Sequence, residues 1–150
     1  MKHLVRKEGE IMNILVIDAQ GGGIGRQFIT KLLEKLPEAD IVAAGTNSMA
    51  TNAMIKAGAK RAATGENAIR YCASQAEIIA GPIGIIVANA MLGEISPVIS
   101  ESVGSSSATK VLIPIPHCNT IIAGPKDLPI KDSIEDAVDR IVRICDVEEN

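Results

Sequence analysis

Residues 13–25 read NILVIDAQGGGIG, an apolar run that ends in Asp18 and is followed by four glycines within five residues: Gly21, Gly22, Gly23 and Gly25. An apolar run bounded by turn residues is the pattern of a buried parallel strand. Glycines directly after it predict a turn too tight for side chains. The next helix presents unpaired N–H groups to which an anion is attracted. Ile24, Phe28, Ile29, Leu32, Leu33 and Leu36 recur at the spacing of a one-faced helix that Pro37 ends. A second apolar run, Ile41 to Gly45, comes next. Strand, glycine turn, helix and strand within about 33 residues predict a right-handed βαβ unit.

Beyond this unit, Thr46-Asn47-Ser48 caps a short helix whose face reads Met49, Ala53, Met54 and Ala57, with Gly58 as its stop. A brief strand over Lys60 to Ala63 precedes a helix from Thr64-Gly65-Glu66-Asn67 through Cys72. Glu77 to Ala80 predicts another strand, with Gly81-Pro82 as the turn after it. Residues 85–91 fit a strand by β-branching and a helical turn by length, and the pattern does not choose. Ser96-Pro97 opens a helix to Gly104. Lys110 to Pro114 is the last clear parallel strand, and turns bracket an antiparallel edge strand over Asn119 to Ala123. Ile134, Ala137, Val138, Ile141, Val142 and Cys145 face the core from a closing helix, with Asp132 and Glu135 at capping-box spacing. The expected fold is α/β: a single three-layer doubly wound Rossmann-like domain over residues 12–150, mostly parallel, in strand order 3-2-1-4-5.

At 150 residues the chain suits one domain burying roughly 70% of its unfolded surface. Aromatic residues are 1% of it, Phe28 and Tyr71 alone, so the core is aliphatic and there is little platform for stacking bases. Fifteen basic and 18 acidic residues give a net charge of -3 without a polybasic tract, which disfavours nucleic acid as a partner. No apolar run reaches the length of a membrane span, so no membrane partner is expected. Three cysteines, an odd number, fit a reducing cytoplasm better than a disulfide framework. Residues 1–11 (MKHLVRKEGEI) are charged and without period, unlike the rest of the chain. They form an N-terminal extension, and a misassigned start, with translation beginning at Met12, is the hypothesis they raise. A small domain rich in Ile and Val with an open edge strand also predicts a homodimer.

The expected ligand is small and phosphate-bearing, held by Asp18, Gly21, Gly22, Gly23, Ile24 and Gly25, with Thr46, Asn47 and Gly81 at neighbouring strand ends. The glycine spacing departs from G-x-G-x-x-G, with Ala19 where short-chain dehydrogenases place the first glycine. Gly45-Thr46-Asn47 also stands where an acid usually binds the ribose, which counts against NAD. NADP or another nucleotide remains, with Thr46, Asn47 and Ser48 near a 2′-phosphate. A purely structural turn is the alternative. Asp18 has several readings: orienting the turn, binding a ribose or Mg²⁺, or taking part in chemistry. Glu66 and Glu94 are the acid/base candidates, and Cys118, next to His117, is the thiol candidate, although neighbours in an extended strand point to opposite faces. No metal site is expected, since CxxC and HExxH are both absent.

The ordered set VIDAQGGGIG (16–25), GTN (45–47), AGA (57–59), ATGEN (63–67), GPI (81–83) and NAMLGE (89–94) resembles a family of small uncharacterised bacterial proteins, found mainly in anaerobic Firmicutes. Members usually begin where Met12 stands and often carry glycine in place of Ala19. The resemblance spans about residues 12 to 145. It implies a Rossmann-like fold and brings no established activity, cofactor or catalytic residue. The functional expectation is therefore a nucleotide-binding protein, with an NADP-dependent oxidoreductase as one form of it. A non-enzymatic small-molecule sensor or homo-oligomeric assembly module is the rival from another class.

Overall fold

A computed structural model describes residues 12–115, 119–124 and 127–148. The elements are β1 (Asn13–Asp18), α1 (Gly23–Lys35), β2 (Asp40–Gly45), α2 (Ser48–Lys56), β3 (Arg61–Thr64), α3 (Glu66–Gln75), β4 (Ile78–Pro82), α4 (Pro97–Gly104), β5 (Thr109–Ile113) and α5 (Ile130–Glu148). One turn of 3-10 helix, Ile83–Ile86, follows β4. All pairings are parallel and the order is β3-β2-β1-β4-β5. This is the predicted order, and it makes β1 the strand beside which the chain reverses direction across the sheet. Ligands in open α/β sheets bind outside the strands' carboxyl ends at such a reversal.

The period of two along each strand divides the core. Ile14, Val16, Ile41, Ala43, Ile78 and Ala80 meet Phe28, Ile29 and Leu32 of α1, Met54 of α2 and Ile134, Val138 and Ile141 of α5. Leu15, Ile17, Val42, Ala44 and Ile79 face the other way, onto Ile69 and Ala73 of α3 and Ile99 and Val103 of α4. Both faces are covered, which is why the central strands are apolar throughout rather than alternating.

Several local expectations are corrected. Asn119 to Ala123 forms no strand: Asn119 has φ 47 and these residues run irregularly, so the sheet ends at β5. Residues 85–91 are neither strand nor regular helix. Pro82, which lacks an N–H to continue the ladder, ends β4, and Asn89, Met91 and Leu92 take left-handed conformations that interrupt any helix. Gly81-Pro82 is not a turn but the last two residues of β4, paired with Leu112 and Ile113. On α2, Met54 is buried and Ala53 and Ala57 are half-buried as expected, and Met49 alone departs. It is 68% exposed, while Ala50 and Thr51 are buried beside Met54. Asp132 does not cap α5 but lies in its first turn. The Pro129 carbonyl opens that helix by accepting from the Asp132 and Ser133 N–H groups, each at 3.0 Å.

Candidate functional site

Asp18 ends β1 buried beneath the glycine turn, and its two carboxylate oxygens take different amides. One accepts from its neighbour Ala19 N–H at 2.8 Å and the other from Gly25 N–H, in the first turn of α1, at 2.7 Å. Burial pushes the Asp18 carboxyl above its ordinary range. The N–H groups of Gly25, Ala19 and Ile24 pull the other way, and the nearby Glu94 charge adds to the rise. Asp18 thus fastens the strand to the start of the helix. Two of the amides expected to meet a ligand, those of Ile24 and Gly25, point inward at Asp18.

The four glycines divide into two pairs. A Cβ on Gly22, which has φ 73, would lie 2.7 Å from Ala50 Cα and 2.8 Å from the Ala50 carbonyl oxygen. One on Gly25 would meet Met54 Sδ at 2.5 Å and Asp18 Cβ at 3.0 Å. Both are buried, and both are glycine because α2 packs against them. Gly21 and Gly23 are exposed, have no left-handed φ, and a Cβ on either would meet nothing within 4 Å. Their N–H groups have no protein acceptor among the described residues, whereas Gly22 donates to the Ala19 carbonyl at 3.0 Å.

Beside this turn three loops converge on one carboxylate. Glu94 Oε1 accepts from Gln20 N–H at 3.0 Å, from Thr46 Oγ1 at 2.7 Å and from Asn47 Nδ2 at 2.7 Å. Its partial burial pushes the carboxyl up, but these three donors together outweigh burial and hold it below the ordinary glutamate range. Asn47 also accepts from Ala50 N–H at 2.9 Å as the cap of α2, and donates to the Gln20 carbonyl at 3.0 Å. The side-chain donors of Thr46 and Asn47, expected to face a ribose or phosphate, are engaged by Glu94 instead. Gln20, at φ 51, completes this junction through its backbone N–H. Nothing in its local sequence marks it, since its role depends on a side chain 74 residues away.

A family model for the domain of unknown function DUF3842 matches residues 13–146, nearly all of the described chain. The chain belongs to that family. A search of curated proteins finds no match. In this DUF3842 protein the remaining candidates lie apart from the turn or serve its surroundings. Glu66 begins α3 and accepts from Ser96 Oγ at 2.6 Å, tying α3 to the start of α4. Gly81 lies within β4, where a Cβ would stand 2.5 Å from the Ile17 carbonyl oxygen; its lack of a side chain lets β1 and β4 close up. Cys118 and His117 lie outside the described residues. Among the described residues no three His, Cys, Asp or Glu side chains gather as a metal site, and no helix is long and apolar enough to cross a membrane.

A large groove on the DUF3842 domain lies elsewhere. About 610 Å³ in volume, it runs along the outer edge of β5 and is lined by Val111, Leu112, Ile122 and Leu128 together with Ala137 and Arg140 of α5. The unpartnered amides of Gly21 and Gly23 lie at the glycine turn, whereas this groove is chiefly an aliphatic surface.

Proposed function

We infer that the protein binds a nucleotide through its phosphates, on the outer face of the glycine turn at the carboxyl ends of β1 and β2. One observation carries this reading: Gly21 and Gly23 lack side chains for which the fold itself has room. A Cβ at either position would touch nothing, so the omission serves something that approaches from outside. Their N–H groups have no protein acceptor among the described residues and lie at the positive end of the α1 dipole, where an anion is stabilised. Nicotinamide redox chemistry is one use of such a site, because there the cofactor carries the hydride while the protein binds and orients it.

The test is thermal unfolding with ADP, NAD, NADP and inorganic pyrophosphate, each at millimolar concentration. A ligand at about 100 times its dissociation constant adds about 2.7 kcal/mol of stability, a shift of several degrees for a domain of this size. A rise with at least one of them is expected, and no shift with any of the four would overturn the reading.

The assembly reading is favoured by a separate observation. Among the described residues β5 has no partner on its outer side, and the exposed Ile122 and Leu128 line the groove along it. Pairing of two such edges in a homodimer would cover them. Sedimentation at micromolar concentration is expected to give a dimer, and a monomer throughout would remove this reading.

A further inference from the structure

We propose that Glu94 is the ribose-binding acid of this site, brought to the end of β2 from the β4–α4 loop, and that it selects a nucleotide with a free 2′-hydroxyl over one carrying a 2′-phosphate. The proposal rests on the nucleotide reading above. In dinucleotide-binding α/β domains the second strand ends in an acid that accepts from the ribose hydroxyls. Here β2 ends in Gly45, and Thr46 and Asn47 follow without a carboxylate. The structure supplies the missing charge from another part of the chain. Glu94 Oε1 is fixed by Thr46 and Asn47 themselves, each at 2.7 Å, and by Gln20 N–H at 3.0 Å.

That geometry leaves the carboxylate half used. All three donors meet Oε1, and Oε2 has no hydrogen-bond partner among the described residues. A fixed, ionised oxygen next to a phosphate-binding turn is an acceptor for a sugar hydroxyl. It is equally a repulsive element against a further phosphate at the same carbon, and no Lys or Arg occurs within residues 45–55 to offset that charge.

The loop bears a conformational cost to reach this place. Asn89, Met91 and Leu92 sit at φ 65, 56 and 57 and Gly93 at φ 86, so Met91 and Leu92, neither Gly nor Asn, occupy a region that such residues avoid. Local hydrogen bonds hold the bend, with Asn89 N–H on the Ile95 carbonyl at 2.7 Å and Gly93 N–H on the Asn89 carbonyl at 3.1 Å. Its outcome is the delivery of Glu94 while Leu92 is left 99% exposed.

Calorimetric titration of the wild type and Glu94→Gln with NAD and NADP, which differ only at the ribose 2′ position, decides it. Glutamine keeps an oxygen for the three donors and loses the charge. The wild type is expected to bind NAD about tenfold or more tightly than NADP, and Glu94→Gln to reduce that ratio by about tenfold, as removal of a like-charge contact predicts. A wild-type preference for NADP, or a ratio unchanged by the substitution, would overturn the assignment. Equal tightening of both ligands would do so too, since Glu94 would then be an occupant that the ligand displaces. A second comparison needs no variant: ADP should bind the wild type several-fold more tightly than 2′-deoxy-ADP, and equal affinity would count against a hydroxyl contact. If neither the dinucleotides nor ADP bind wild type or variant, the nucleotide reading itself fails and this assignment falls with it.

Discussion

The inner and outer faces of the glycine turn use the same residue for opposite reasons. Inside, Gly22 and Gly25 are glycine because Ala50 and Met54 of α2 leave no space for a Cβ. Outside, Gly21 and Gly23 have open space and ordinary backbone conformations, so the fold does not require them. A run of glycines is thus two features interleaved, one maintaining helix-to-sheet packing and one keeping a surface clear. Substitutions should destabilise the fold on the inner face and leave it intact, while affecting binding, on the outer one.

The largest expected effect is on the inner face. Gly22→Ala combines left-handed strain with a backbone collision and should lose about 3–5 kcal/mol. Gly25→Val, which meets a flexible methionine and the Asp18 side chain, should lose about 1–3 kcal/mol. Urea unfolding midpoints check both, and a Gly22 variant as stable as wild type would break the division. Asp18→Ala comes next. It leaves the Ala19 and Gly25 amides without their acceptor in a buried place and should cost about 1–3 kcal/mol by the same measurement.

A smaller effect of opposite sign is expected outside. Gly23→Ala fits the first turn of α1 without strain and should stabilise by about 0.4–1 kcal/mol, through the reduced freedom of the unfolded chain. A clear loss of stability instead would mean the outer face is also structural.

The smallest effects are those of pH, and the two carboxylates titrate in opposite senses. Asp18 is raised in the folded protein, so the stability it contributes is fully present below about pH 3.8 and is lost as the pH rises through its higher folded value. Glu94 is lowered, so its contribution is present above about pH 4.5 and is lost as the pH falls through its lower folded value. Side-chain carboxyl titration by NMR should place Asp18 above Glu94, and the reverse order would contradict the geometry.

Much of the fold was legible because it depends on local periodicity. The runs at Ile14 to Ile17 and Ile41 to Ala44, the α1 pattern from Ile24 to Leu36, and the Ser96-Pro97 start each carry their own signal, and the topology followed from their alternation. What was not legible depends on distant partners. Gly21 looks like Gly22 until α2 packs across one of them. Thr46 and Asn47 read as ligand donors because nothing near them in the chain announces Glu94, whose loop reaches them only through the left-handed residues at Asn89, Met91 and Leu92. Asp18 was readable as the residue that orients the turn, since an acid between a strand and a glycine turn has the following amides within reach. The Asn119 to Ala123 segment failed for the converse reason: its flanking prolines and glycine mark turns, but no strand among the described residues pairs with it.

The central claim is that phosphate meets the outer face of the turn. Titration of ¹⁵N-labelled wild-type protein with ADP, followed through the backbone amides of residues 19–26, tests it most directly. Saturable shifts are predicted to be largest at Gly21 and Gly23 and small at Gly22 and Gly25, whose amides are engaged within the protein. Absence of saturable shifts at Gly21 and Gly23, or shifts confined to residues along the β5 groove, would contradict it.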